Sequence, residues 1–122
     1  MPLEQALKDF ERLRTAISVS DLERLARRMS THVDAVAEAA LVQPELPVDL
    51  AMRLASALAE LVDAAATMDR EQRAIVHAAV RYFILTGDAD NDLTSPHGLA
   101  DDVHVFNEAS RLLEREDLQI TY

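Results

Sequence analysis

The chain contains no cysteine and no tryptophan, only two glycines, and a single lysine, Lys8. Without cysteine there is no thiol nucleophile, no disulfide and no cysteine–zinc site, a composition that suits a reducing compartment. Two glycines cannot furnish a phosphate-cradling loop. Ser18, Ser20, Ser30, Ser56, Ser95 and Ser110 all lack the context of a nucleophile elbow, so hydrolase chemistry has no support. Aromatic residues are only 4% of the chain, which leaves Leu, Val, Ile, Ala and Met to build the core. No apolar run approaches the ~20 residues that cross a bilayer. The opening segment MPLEQALKDFERLR is charged throughout and lacks the apolar centre of a secretion signal. The expected location is the cytoplasm.

Positive charge is also scarce. Twelve Lys and Arg stand against 22 Asp and Glu, for a formal net charge of −10. Nucleic-acid backbones and anionic membranes are bound through clustered cations, so neither is an expected partner. The balance suits a cationic protein partner or a divalent ion.

What the chain has is alanine and helical periodicity. At 122 residues it fits one domain, 1–122. Leu3, Ala6, Leu7, Phe10, Leu13 and Ile17 recur at helical spacing. Ser20 and Glu23 have capping-box spacing, which predicts the start of a second helix. Its buried stripe is Leu22, Leu25, Met29, Val33, Val36 and Ala40, with His32 on the surface. Pro44 and Pro47 bracket a connector to a third helix, where Leu50, Leu54, Leu58, Leu61, Val62 and Ala65 face inward and Ala51, Ala55 and Ala59 permit close approach. Asp69 with Gln72 predicts another capped start. Ile75, Val76, Ala79, Val80 and Phe83 supply a fourth apolar face, and Gly87 stands where a left-handed helix terminus is expected. A fifth helix carries Leu99, Val103, Phe106, Ala109 and Leu113, and the alternating tail Leu118–Tyr122 either adds an edge strand to a partner or frays. Short connectors imply antiparallel neighbours in a helical bundle.

The most unusual stretch joins the last two helices, where Asp88, Asp90, Asp92, Asp101 and Asp102 crowd together. Adjacent carboxylates repel unless cations or hydrogen-bond donors intervene. An EF-hand fails here, because Leu93 occupies the glycine position and Leu99 the bidentate glutamate position. A less regular site for Mg²⁺, Mn²⁺ or Ca²⁺ would use Asp88, Asp92, Asp101 and Asp102, with His97 or His104 nearby. The preferred reading is structural. Arg70, Arg73, His77 and Arg81 recur at steps of three and four and form one basic stripe on the fourth helix. That stripe would face the aspartates, while Asp101 and Asp102 complement the macrodipole of the fifth helix. In this lock Arg73, His77 and Arg81 oppose Asp88, Asp92, Asp101 and Asp102, and Gly98 allows the turn. Arg24, Arg27 and Arg28 form a second, smaller basic patch, read as a solvated face.

The segment Ile84–Asp102, ILTGDADNDLTSPHGLADD, resembles the signature of the YkvA-like bacterial domain of unknown function. Asp88 and Asp92 match its two loop aspartates, Gly98 and Leu99 its glycine–leucine step, and Asp101 and Asp102 its paired aspartates. Thr86 and Asn91 stand where that family carries prolines, and the polar loop argues against the membrane-associated hairpin of some relatives. The likeness spans Arg70 to Leu113 and implies no particular reaction.

Together these features predict a single five-helix bundle-like domain that serves as a non-enzymatic interaction or adaptor protein, with a protein partner or as a homodimer. Two alternatives stand beside it. One is a divalent-metal-dependent activity at the aspartates. The other is an acidic immunity-type inhibitor of a basic partner.

Overall fold

The computed structural model describes residues 2–44, 48–88 and 100–120, with side chains for 5–44, 48–84 and 101–120. Five α-helices are present among these residues: α1 (Pro2–Arg12), α2 (Val19–Ala40), α3 (Val48–Ala64), α4 (Arg70–Asp88) and α5 (Ala100–Leu112). Single 3₁₀ turns follow α3 at Ala65–Thr67 and α5 at Glu116–Leu118. The fold is an all-α bundle.

Helix α4 is its axis and packs against all four others. Its residues from Ile75 to Val80 are buried without interruption, as are Tyr82, Phe83 and Ile84. A helix buried over so many consecutive residues needs neighbours on most of its faces. Helices α2 and α3 form an antiparallel hairpin on one flank, and α1 and α5 cover the other. Phe10, Phe83 and Phe106, each at most 2% exposed, tie α1, α4 and α5 into one core with Leu22, Leu54, Leu58 and Leu61. Burying each such side chain contributes roughly 1.5–3 kcal/mol.

The helix ends explain the boundaries. At α4 the Gln72 amide donates to Asp69 Oδ1 at 2.8 Å, and the Asp69 amide donates to Gln72 Oε1 at 3.0 Å. This is the reciprocal capping box expected from the sequence. At α2 the expected cap is displaced. Ser18, not Ser20, accepts from the Asp21 amide at 3.1 Å, and the Leu22 amide reaches Ser18 O at 3.0 Å. Two overlapping boxes exist in Ser-Val-Ser-Asp-Leu-Glu, and the earlier one wins because it adds residues to the helix and satisfies their amides.

Gly87 is likewise not a terminator, since α4 continues through it to Asp88. Glycine costs a helix only ~1 kcal/mol, and the buried run ending at Ile84 outweighs that. The left-handed terminus lies instead at Glu114, with φ of 59°, just past α5. The Glu114 amide donates to Arg111 O at 3.1 Å and the Arg115 amide to Ser110 O at 2.7 Å, a Schellman closure.

The tail then folds back on its own helix. Asn107 Nδ2 donates to Ile120 O at 3.0 Å, while the Ile120 amide donates to Asn107 Oδ1 at 2.9 Å. Ile120 is buried. The expectation of a free edge strand is therefore overturned through Ile120, because both of that residue's backbone groups are already engaged. No described helix is long and apolar enough to cross a membrane.

Candidate functional site

The basic stripe of α4 has a job that the sequence did not disclose. Arg73 donates through Nη1 to Met68 O at 2.8 Å and through Nε to Ile17 O at 3.4 Å. It thereby ties the α1–α2 connector to the α3–α4 connector. One turn on, His77 Nδ1 lies 3.1 Å from Thr15 O and 3.2 Å from Thr15 Oγ1. Carbonyls of an irregular segment need donors, and these two side chains provide them.

Arg81 completes the row by donating Nε–H to His77 Nε2 at 3.1 Å. A guanidinium has only donors, so Nε2 must accept and the ring proton belongs on Nδ1, directed at Thr15 O. His77 is buried, and burial pushes its pKa below the usual histidine value. The Thr15 carbonyl opposes that shift and the neighbouring Arg81 charge adds to it. His77 thus belongs to the stripe by position, while its lowered pKa favours the neutral ring.

Helix α2 brings the second basic patch to the same place. Ile17, Asp21, Arg24, Leu25 and Arg28 line a cleft of about 450 Å³ together with His77 and Arg81. Arg24 pairs with Asp21 at 3.1 Å on the exposed side. Arg81 is half-buried, and among the described residues it forms no ion pair. Arg27 faces elsewhere, lining a groove of about 470 Å³ between α2 and α3 with Ala26, Ala55 and Ala59.

Asp101 and Asp102 sit in the first turn of α5, as expected. Asp101 is half-buried and Asp102 only 3% exposed. Asp88 closes α4, but its side chain lies outside the described residues, as do Asp90, Asp92, His97, Gly98 and Leu99. The acidic half of the expected lock therefore falls largely beyond them. Among the described residues no group of three or more His, Asp or Glu side chains could hold a metal ion. His104 is exposed, consistent with a helix-surface residue.

His32 is a further correction. It is buried, and its ring meets Phe83 edge to face with centroids 4.7 Å apart at 84°. Its spacing from Met29 and Val36 places it on the inward stripe, a signal that its polarity outweighed in the sequence reading.

At the far end of the α2–α3 hairpin, Leu41 and Val42 are each 84% exposed and Met52 is 53% exposed. The backbone under the first two is fixed. The Leu41 amide reaches Glu38 O at 3.1 Å, the Val42 amide Ala39 O at 3.1 Å and the Gln43 amide Ala39 O at 2.9 Å. Glu38 and Asp49 flank this apolar tip and are exposed. No family model, curated protein or solved structure matches the chain.

Proposed function

We propose that this chain is a non-catalytic adaptor that docks on a protein partner through the tip of its α2–α3 hairpin. The supporting observation is the pair Leu41 and Val42, held out on an ordered turn at 84% exposure. Single exposed aliphatics are common, but two in succession on a hydrogen-bonded turn, with Met52 at the same end, form an anchor for an apolar pocket. Glu38, Asp49 and the net charge of −10 favour a partner whose pocket has a basic rim. Two copies of so acidic a chain would repel each other, which favours a different protein over a homodimer. The resemblance of Ile84–Asp102 to the YkvA-like signature favours placing the chain in that group. A location in the cytoplasm agrees with the cysteine-free composition.

The test is a comparison of the native chain with a Leu41→Asp/Val42→Asp variant. Proteins encoded beside this one are purified and titrated by calorimetry at two salt concentrations. One of them binds the native chain, more weakly at high salt, and binds the variant at least about tenfold more weakly. Equal affinity for both chains refutes the tip as the docking surface. A monomer–dimer equilibrium abolished by the same variant would replace the foreign partner with a second copy.

A further inference from the structure

We infer that the shelf on α5 holding Leu118–Ile120 is a binding site for an extended, aliphatic peptide of another protein, filled here by the chain's own tail. This goes beyond the role proposed for Leu41 and Val42 and does not depend on it.

Asn107 grips Ile120 by its backbone alone. The carboxamide donates from Nδ2 to Ile120 O at 3.0 Å and accepts the Ile120 amide at Oδ1 at 2.9 Å. One side chain thus satisfies both main-chain groups of one residue, as the facing residue of a neighbouring strand does in a sheet. Such a clamp reads peptide backbone and is indifferent to the side chain carried there. Gln119 enters it in an extended conformation, with φ of −58° and ψ of 144°.

Sequence is read at the aliphatic positions only. Ile120 is buried in the core, and Leu118 packs partly against it. Glu116, Asp117 and Gln119 are exposed, and the Asp117 carboxylate pairs with Arg115 of the same segment at 3.1 Å. Past its turn, the tail keeps its seat through two backbone hydrogen bonds and an aliphatic anchor. A foreign peptide can reproduce all of these. Main-chain bonds for affinity, with pockets for alternate side chains, are how proteins capture extended peptides. Room for approach lies alongside. A cleft of about 390 Å³ runs between the tail and α3, bordered by Met52, Ser56, Ala57, Leu118 and Ile120.

The probe is a synthetic peptide with the sequence of residues 116–122, titrated against full-length chains. In the native chain the tethered tail competes at an effective concentration on the order of millimolar, so an Ile120→Asp chain with its tail unseated is the receptor. There the peptide gives a saturable shift of the Asn107 side-chain Nδ2 resonances, and it binds the native chain at least about tenfold more weakly. Adding Asn107→Ala to the receptor abolishes binding. A peptide carrying Gln119→Lys binds as well as its parent, and one carrying Ile120→Asp does not bind. Should the Ile120→Asp chain fail to fold, an excess of peptide over the native chain accelerates hydrogen exchange at the Ile120 amide and leaves Val80 unchanged. No saturable response in either chain, or binding that survives Asn107→Ala, overturns the inference. Loss of binding with the Gln119→Lys peptide overturns it too, by restricting the shelf to this one sequence. A native dimer that Ile120→Asp abolishes would make a second copy's tail the occupant and equally refute the foreign peptide.

Discussion

Arg81 donates its Nε–H to Nε2 of His77 at 3.1 Å, so a cation holds a histidine in its neutral form from one helical turn away. The proton that would charge the ring has to enter at the nitrogen already occupied by that bond. This couples the protonation state of one buried side chain to the pinning of the α1–α2 connector.

A pH dependence follows. Burial lowers the folded-state pKa of His77, so the unfolded chain takes up a proton first as pH falls. Stability should drop as pH decreases below the ordinary histidine value near 6.5 and level off below the depressed folded value. His77→Gln retains an acceptor for Arg81 without titrating. Its thermal-melting profile between pH 7.5 and about 5 should be flatter than that of the native chain. Parallel profiles would show that the ring gains its proton as easily folded as unfolded.

The capping box of α4 should behave as a coupled unit. Asp69→Ala removes the acceptor for the Gln72 amide and should cost about 1 kcal/mol in urea unfolding. Gln72→Ala should cost less. The double variant should cost less than the sum of the two, because each single change already breaks the reciprocal pair. Strict additivity would mean the two bonds act independently.

Glu114 should tolerate glycine well. An L-residue in the left-handed region is penalised by ~1–2 kcal/mol, and glycine is not, although glycine loses more backbone entropy on folding. Glu114→Gly should therefore raise stability by about 0.5–1 kcal/mol. Denaturation midpoints that fall instead would show that the Glu114 side chain contributes more than its backbone costs.

Asn107 should hold the tail. Asn107→Ala removes both partners of Ile120 and leaves buried backbone groups unsatisfied, at a cost of roughly 1–3 kcal/mol. Hydrogen exchange at the Ile120 amide should accelerate far more than at Val80 in the core. Uniform acceleration across the chain would place the loss in global unfolding instead of local release.

Divalent ions should leave the melting temperature unchanged once ionic strength is matched. This is the outcome expected if Asp101 and Asp102 serve the first turn of α5. A saturable rise with Mg²⁺, Mn²⁺ or Ca²⁺ that Asp102→Asn removes would restore the metal reading, because a ligand of the folded state must stabilise it.

The apolar periodicity was enough to read the bundle. Leu22, Leu25, Met29 and Val36, or Ile75, Val76, Ala79 and Val80, bury as their spacing requires. Errors came where one residue type serves two purposes. Ser18 and Ser20 both begin capping boxes, and only the packed helix decides between them. Gly87 has the chemistry of a terminator yet stays helical, while Glu114 terminates without it. The polarity of histidine points His32 to the surface and His77 to a basic stripe, but a ring can be buried against Phe83 or satisfied by Thr15 and Arg81. The cleft was illegible for a different reason. Arg24 and Arg28 are more than 50 residues from Arg81, and no local pattern reveals that α2 and α4 lie side by side.

Arg73 and His77 fasten two stretches of chain that lie far apart in sequence, Thr15–Ile17 and Met68, to one helix. Loosening α4 therefore frees both connectors together, and their amides should exchange as one cooperative unit.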